Sequence, residues 1–323
     1  MPVMTPAGER PQAPILVFDI ETVPDIGLLQ EIHEPTLEFE PEPATAWRDL
    51  RIATAAYKVT GKDFPPPMFH VVVCICAVFV NPETYTIMDG FKRSVPLVVG
   101  ATREDFLAAE RELLRSFWAF ATKHRDFSRV WYDSQTSDFR MSEFQRRKMK
   151  PVPVTFCGYN TSGFDLPVIE QRSLRHLLTC PITEYGRETG YDSYRSRFAP
   201  EKSFDLFSYI SGNSSLKSGL DVVSRALGLG GKMEGMDGSK VAQAYYVDQQ
   251  WAAIEEYCAI DVLITHGVLL AVQKFRGILP DEDFREAAAH FEKFLRQEGK
   301  PPSYLRLADA SRPFFQAARG DAG

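Results

Sequence analysis

The apolar run at residues 15–18, closed by Asp19 and Glu21, is the feature that most constrains this chain. Four consecutive Ile, Leu, Val and Phe residues read as a short buried strand. Side chains alternate along a strand, so Asp19 and Glu21 share one face while Ile20 turns back into the core. Two carboxylates crowded on one face at the end of a buried strand call for a cation. Hydrated Mg2+ or Mn2+ suits such a pair, because hard divalent ions take carboxylate oxygens and keep positions open for water and phosphate. A D-x-E triplet is common, however, and assigns no site by itself. Further carboxylates must reach the same strand end.

Two later segments supply them. Residues 154–165, VTFCGYNTSGFD, read as a short strand and a polar turn carrying Gly163, followed by a helix over 166–175. Asp165 falls where strand hands over to helix. Locally it is equally well read as an N-cap, with Pro167 at home in a first helical turn. The second segment contains Tyr257 and Asp261 inside a pattern in which Trp251, Ile254, Cys258 and Leu269 keep roughly helical spacing. Four residues apart, Tyr257 and Asp261 share a helix face, which is also compatible with an ordinary half-buried pair.

Taken in order, FDIETVPD, YNTSGFDLPVI and IEEYCAIDVLITH resemble the three exonuclease motifs of the DEDD superfamily in its tyrosine subtype. They are most similar to the family-B DNA polymerase-like 3'-5' exonuclease group. Residues 203–207, 215–228 and the glycine turn at 230–232 extend the resemblance over most of residues 14–273. Glu256 stands five before Asp261, where the histidine subtype would carry its histidine. The resemblance implies a metal-dependent 3'-5' exonuclease acting on single-stranded nucleic-acid 3' ends, DNA before RNA, and releasing nucleoside monophosphates; the alternatives are an exoribonuclease trimming short RNA and a catalytically silent nucleic-acid-binding scaffold of the same fold. It also implies two Mg2+ or Mn2+ ions roughly 4 Å apart. Asp19 would touch both ions, Glu21 and Asp261 the nucleophile-side ion, and Asp165 the leaving-group-side ion. Tyr257 would orient the attacking water. Thr22, Asn160 and Phe164 are the implied substrate contacts, Asn160 alternatively bracing its turn. Asp205 reads as structural or as a support to the ligands.

The implied fold is α/β: a ribonuclease-H-like, mixed five-stranded sheet with flanking helices, a βββαβα core plus insertions. The element order agrees. Residues 71–80 and 84–91 read as strands joined by an Asn81-Pro82 turn, 104–123 as an amphipathic helix, and 204–209 as a further strand. The expected organisation is a tail over 1–13 and an exonuclease domain over 14–275 with a proline-rich insertion at 22–70, holding one short helix near 45–57. A C-terminal helical extension over 276–323 completes it. Phe314 and Phe315 in that extension are expected to dock on the core or on a partner.

The longest wholly apolar run, residues 71–80, falls short of the roughly 20 residues that span a bilayer, and the polar, proline-rich start carries no secretory signal, so no membrane association is expected. Five cysteines without paired spacing predict reduced thiols in a cytoplasmic protein, with neither a disulfide framework nor a zinc site. A formal charge of −6 argues against broad duplex wrapping but permits a grip on a short strand end. Two patches offer one. Residues 185–202 interleave Tyr185, Tyr191, Tyr194 and Phe198 with Arg187, Arg195, Arg197 and Lys202, and a basic run lies at 146–150; each is also readable as a solvated loop. No phosphate loop is present, because Met233 follows Lys232 where Ser or Thr is required. Nothing signals a serine or cysteine nucleophile. No polymerase fits after residue 273.

Overall fold

The computed structural model describes residues 13–33, 66–96, 102–124, 153–191, 193–212, 217–231 and 235–320. The helix expected at 45–57, the basic run at 146–150 and Lys232 lie outside these. Five strands form one sheet: β1 (Ile15–Pro24), β2 (His70–Val80), β3 (Ile87–Ser94), β4 (Thr155–Gly158) and β5 (Ser203–Asp205). Their order is β3-β2-β1-β4-β5. The first three strands are an antiparallel meander, whereas β4 and β5 run parallel to β1. This is the expected ribonuclease-H-like mixed sheet with β1 at its centre.

Helices α1 (Ile26–His33) and α2 (Arg103–Ala121) flank β2 and β3 in sequence, and α3 (Asp165–Arg175) and α4 (Thr183–Arg187) follow β4. After β5 come α5 (Leu206–Ser211), α6 (Leu220–Ala226), α7 (Val241–Tyr246) and the long α8 (Trp251–Phe275). The chain then forms α9 (Asp281–Leu295), α10 (Pro302–Ala310) and α11 (Arg312–Arg319).

The apolar runs become the central strands because both faces of the sheet are covered. All eleven residues of β2 are buried, whereas the edge strand β3 is mostly open to solvent. On one face lies α2, started by a reciprocal Thr102–Asp105 capping box. Its Phe117 packs 5.5 Å from Phe18, and Trp118 6.3 Å from Phe156. Each such ring, removed from water, contributes about 1.5–3 kcal/mol. On the other face α8 crosses β1, β2 and β3. This helix is long and apolar enough to cross a membrane, but 83% of that stretch is buried inside the fold, so its apolarity serves the core.

Two strand limits differ from the sequence reading. β3 starts at Ile87 because residues 81–86 form a turn: the Asn81 side chain accepts the amides of Glu83 and Thr84, and Tyr85 has a φ of 56°. The strand expected over 204–209 ends at Asp205, whose carboxylate accepts the amides of Phe207 and Ser208 and so starts α5. Gly158 lets β4 approach β1 closely; a Cβ there would fall 2.1 Å from Thr161 Cγ2 and 2.9 Å from the Phe18 carbonyl oxygen.

A buried charge network locks α2 and α3 to the end of β1. Arg172 and Glu110 are each 0% exposed, and Asp25 is 4% exposed. Arg172 donates to Glu110 at 2.8 and 2.6 Å, to Asp25 at 2.8 Å and to the Met68 carbonyl at 3.2 Å. Glu110 also accepts from the Val72 amide and pairs with His176 at 2.7 Å. At the C-terminal end, Phe314 and Phe315 dock on the core: the Phe314 amide donates to the Gly228 carbonyl, and Phe315 packs on Phe291, which meets His266 of α8.

Candidate active site

The central strand delivers the first two acids. Asp19 and Glu21 lie on the β1 face that looks toward α8, with Cys76 and Cys74 opposite them in register on β2. Ile20 is buried, as alternation requires. Regular pairing breaks between Glu21 and Thr22, so the strand bends directly after the acidic pair. Asp19 is half-buried, while Glu21 is 7% exposed.

From above, α8 contributes Tyr257, Cys258 and Asp261. The Tyr257 hydroxyl hydrogen-bonds the Asp261 carboxylate one turn along the helix. Burial is the main cause that raises the phenol well above its usual pKa, and the charges of Asp261, Glu21 and Asp19 add to it. Tyr257 thus lies within electrostatic reach of all three acids. Its raised pKa keeps it protonated, so it serves as a hydrogen-bond donor and not as a base.

Asp165 arrives from a third element. It is the first residue of α3, and the N-cap position belongs to Phe164, which makes no side-chain cap bond. The Asp165 carboxylate instead reaches across to β1 and accepts the Ile20 amide at 3.3 Å, between Asp19 and Glu21 in sequence. The capping alternative therefore gives way to a placement at the acidic strand end. Asp165 and Asp261 are 4% and 3% exposed.

The three implied substrate contacts have distinct surroundings. Asn160 braces its turn: with φ 70°, its carbonyl accepts the amides of Gly163 and Phe164. Asp205 holds the same turn through the amides of Asn160 and Ser162 at 2.9 and 3.2 Å, a structural role as expected. Phe164 is half-buried next to Asp165, and its ring meets His70 edge-on at 5.1 Å. Thr22 Oγ1 lies 2.9 Å from His70 Nδ1. Thr22, His70 and Phe164 thus form one contiguous cluster, with His70 buried at its centre. His70 was not signalled by the sequence, standing alone before an apolar strand.

The aromatic-basic stretch at 185–202 is corrected. Tyr185 and Tyr194 are 3% and 2% exposed and pack with Phe156 in the core. Arg195 pairs with Glu170 and Lys202 with Glu188. Tyr191, Phe198 and the basic side chains of Arg187, Arg195 and Arg197 are exposed, Arg197 sitting over the Phe198 ring at 4.8 Å.

Three of the five free cysteines come together. The thiols of Cys74, Cys76 and Cys258 lie within 4.8 Å of one another, and Cys258 Sγ is within the same distance of carboxylate oxygens of Asp19 and Glu21. The available signal was the i,i+2 spacing of Cys74 and Cys76 on one strand face; Cys258 joins them only through tertiary packing. The carboxylate donors fit a hard divalent cation. Several buried acids converging on one strand end are costly without positive charge, and oxygen donors match Mg2+ or Mn2+.

A family described as a predicted 3'-5' exonuclease related to the exonuclease domain of PolB matches residues 142–309. That span contains Asp165, Tyr257 and Asp261; Asp19 and Glu21 precede it and join them through the sheet. No curated protein matches the chain. Among solved structures, the chain is similar to the family B DNA polymerase from the hyperthermophilic archaeon Pyrobaculum calidifontis, at 16% identity and a TM-score of 0.45. The match covers 95% of this chain and 27% of the polymerase, so the chain spans about a quarter of that polymerase's length.

Proposed function

Because the chain belongs to the family of predicted 3'-5' exonucleases related to the exonuclease domain of PolB, we propose that it hydrolyses phosphodiester bonds at the 3' ends of single-stranded DNA, releasing nucleoside monophosphates. The observation that carries this reading is the phenol of Tyr257, bonded to Asp261 and set in the field of Glu21 and Asp19. Two elements far apart in sequence there build one acidic, partly open site.

Asp19, Glu21, Asp165 and Asp261 would hold divalent Mg2+ or Mn2+. When bound, such ions supply Lewis-acid activation of water and neutralise charge on the departing 3'-oxygen. The chain's own groups do the positioning. Asp19, the more exposed of the β1 pair, faces the scissile phosphate. Tyr257, kept protonated by burial and by the acids around it, donates a hydrogen bond that orients the attacking water. Asp165, tied to the Ile20 amide, fixes α3 against β1, so the Phe164 ring stands beside the site for the terminal base to stack on. Thr22 and Asn160 border the same end.

Polarity is the test. A blocked or phosphorothioate 3' terminus should stop mononucleotide release, whereas the same block at the 5' end should leave it unchanged. Asp19→Asn should abolish release while the chain stays folded. Equal sensitivity to both blocks, or a wild-type rate in the folded variant, refutes the reading.

A further inference from the structure

The trio Cys74, Cys76 and Cys258 lies directly behind the acidic pair, and its donors are of a different chemical kind. All three residues are at most 2% exposed. Cys74 Sγ and Cys76 Sγ are 3.9 Å apart, and all three sulfurs fall within 4.8 Å. With a Zn–S bond of about 2.3 Å, a tetrahedral site sets neighbouring sulfurs about 3.8 Å apart. The strand pair therefore already presents one edge of such a tetrahedron. Cys258 supplies a third corner from α8. Its thiol points at the Asp19 carbonyl oxygen, 3.4 Å away, and lies within 4.8 Å of carboxylate oxygens of both Asp19 and Glu21. A β1 carboxylate is thus the next donor beyond Cys258, and Asp19 is the more exposed of the two.

We infer that Cys74, Cys76 and Cys258, with one carboxylate of the Asp19–Glu21 pair, form a site for a thiophilic divalent cation of the Zn2+ type, and that filling it inhibits the enzyme. Soft thiolates select Zn2+ over Mg2+, which prefers oxygen and water. Binding exchanges the thiol protons for the ion: three S–H bonds give three S–metal bonds, and three protons leave to solvent. A carboxylate drawn toward the sulfurs is withdrawn from the position that faces substrate. The inhibitory half rests on the exonuclease reading; the binding half does not.

The test uses the full-length chain, reduced with a phosphine, freed of metal and titrated with Cd2+ as the probe. One Cd2+ per chain should bind with a thiolate-to-metal charge-transfer band, and X-ray absorption should show a first shell of three sulfurs and one oxygen. Cys74→Ala and Cys76→Ala should each weaken binding by more than about 100-fold, beyond the loss expected for an outer-shell partner. Asp19→Asn, expected to be inactive as a nuclease, should keep the sulfur shell. An all-oxygen shell in the wild-type chain, or folded cysteine variants that bind as tightly as wild type, overturns the inference. The wild-type shell decides even if a variant fails to fold. In the activity arm, Zn2+ at binding concentrations should inhibit Mg2+-supported turnover in wild type, and Cys74→Ala, scored against its own uninhibited rate, should escape. Equal inhibition of both refutes the coupling. A sulfur shell in a chain without nuclease activity would leave this site standing and remove the proposed function.

Discussion

Arg172→Met tests the buried network that seats α3, and with it Asp165, against β1. The guanidinium is 0% exposed and makes a bidentate pair with Glu110, also 0% exposed, plus a bond to Asp25. Methionine fills much of the space but supplies no donor. Glu110 keeps the Val72 amide and His176 yet loses its main positive partner in a dry environment. Removing one member of a buried pair costs about 3–5 kcal/mol, because the remaining charge stays buried. An unfolding entropy of roughly 2.1 cal/mol/K per residue gives about 0.7 kcal/mol/K for 323 residues, hence a fall in Tm of about 4–7 °C. The exposed Arg225–Asp221 pair is the control: its loss should cost less than about 0.5 kcal/mol. Adding Glu110→Gln to Arg172→Met removes the stranded charge and should recover a large part of the loss. Urea and thermal unfolding of the three network proteins and the control measure all of this. A loss below about 1 kcal/mol for Arg172→Met, or a double variant no more stable than the single, refutes the reasoning.

Three further outcomes follow from the same structure. Tyr257→Phe keeps the ring and deletes the donor, so single-turnover cleavage should fall by about 10²-fold while calorimetric Mn2+ binding survives; an unchanged rate would reduce Tyr257 to packing. His266, fully buried, has its pKa lowered from 6.5 to about 3, mainly by burial and further by His290. The unfolded chain therefore takes this proton first as pH falls, and stability drops from pH 6.5 downward by about 1.4 kcal/mol per unit, or about 2 kcal/mol by pH 5; His266→Leu should lose that slope in urea titrations at the two pH values. Gly158→Ala forces a Cβ against Thr161 and the Phe18 carbonyl, so it should lower both Tm and turnover, and a neutral result in both would show that β4 need not approach β1 so closely.

The sequence made the acidic site legible because its parts are local patterns. An apolar run ended by D-x-E fixes Asp19 and Glu21 on one strand face, and i,i+4 spacing fixes Tyr257 and Asp261 on one helix face. Asp165 was ambiguous between cap and site, since both readings suit a strand-to-helix junction. Only its bond to the Ile20 amide, 145 residues away, separates them. Tyr185 and Tyr194 lie in an irregular segment, which has no period to mark an inner face. Arg172 gave no signal, as an arginine on an amphipathic helix is ordinarily solvated. The thiol trio escaped notice for a similar reason: two members share a strand and the third lies about 180 residues later, so only the packing of α8 on β2 unites them.

Asp19, Glu21, Asp165, Tyr257 and Asp261 are proposed to act together as a metal-dependent 3'-5' exonuclease site. The most direct measurement is digestion of matched 5'-labelled DNA and RNA single strands by wild type and Asp19→Asn, with Mg2+, with Mn2+ and with chelator. Wild type should give a ladder of 3'-shortened DNA products that requires the ion and is absent from the folded variant. A ladder that survives chelation or Asp19→Asn, or an intact substrate with either ion, would contradict that proposal.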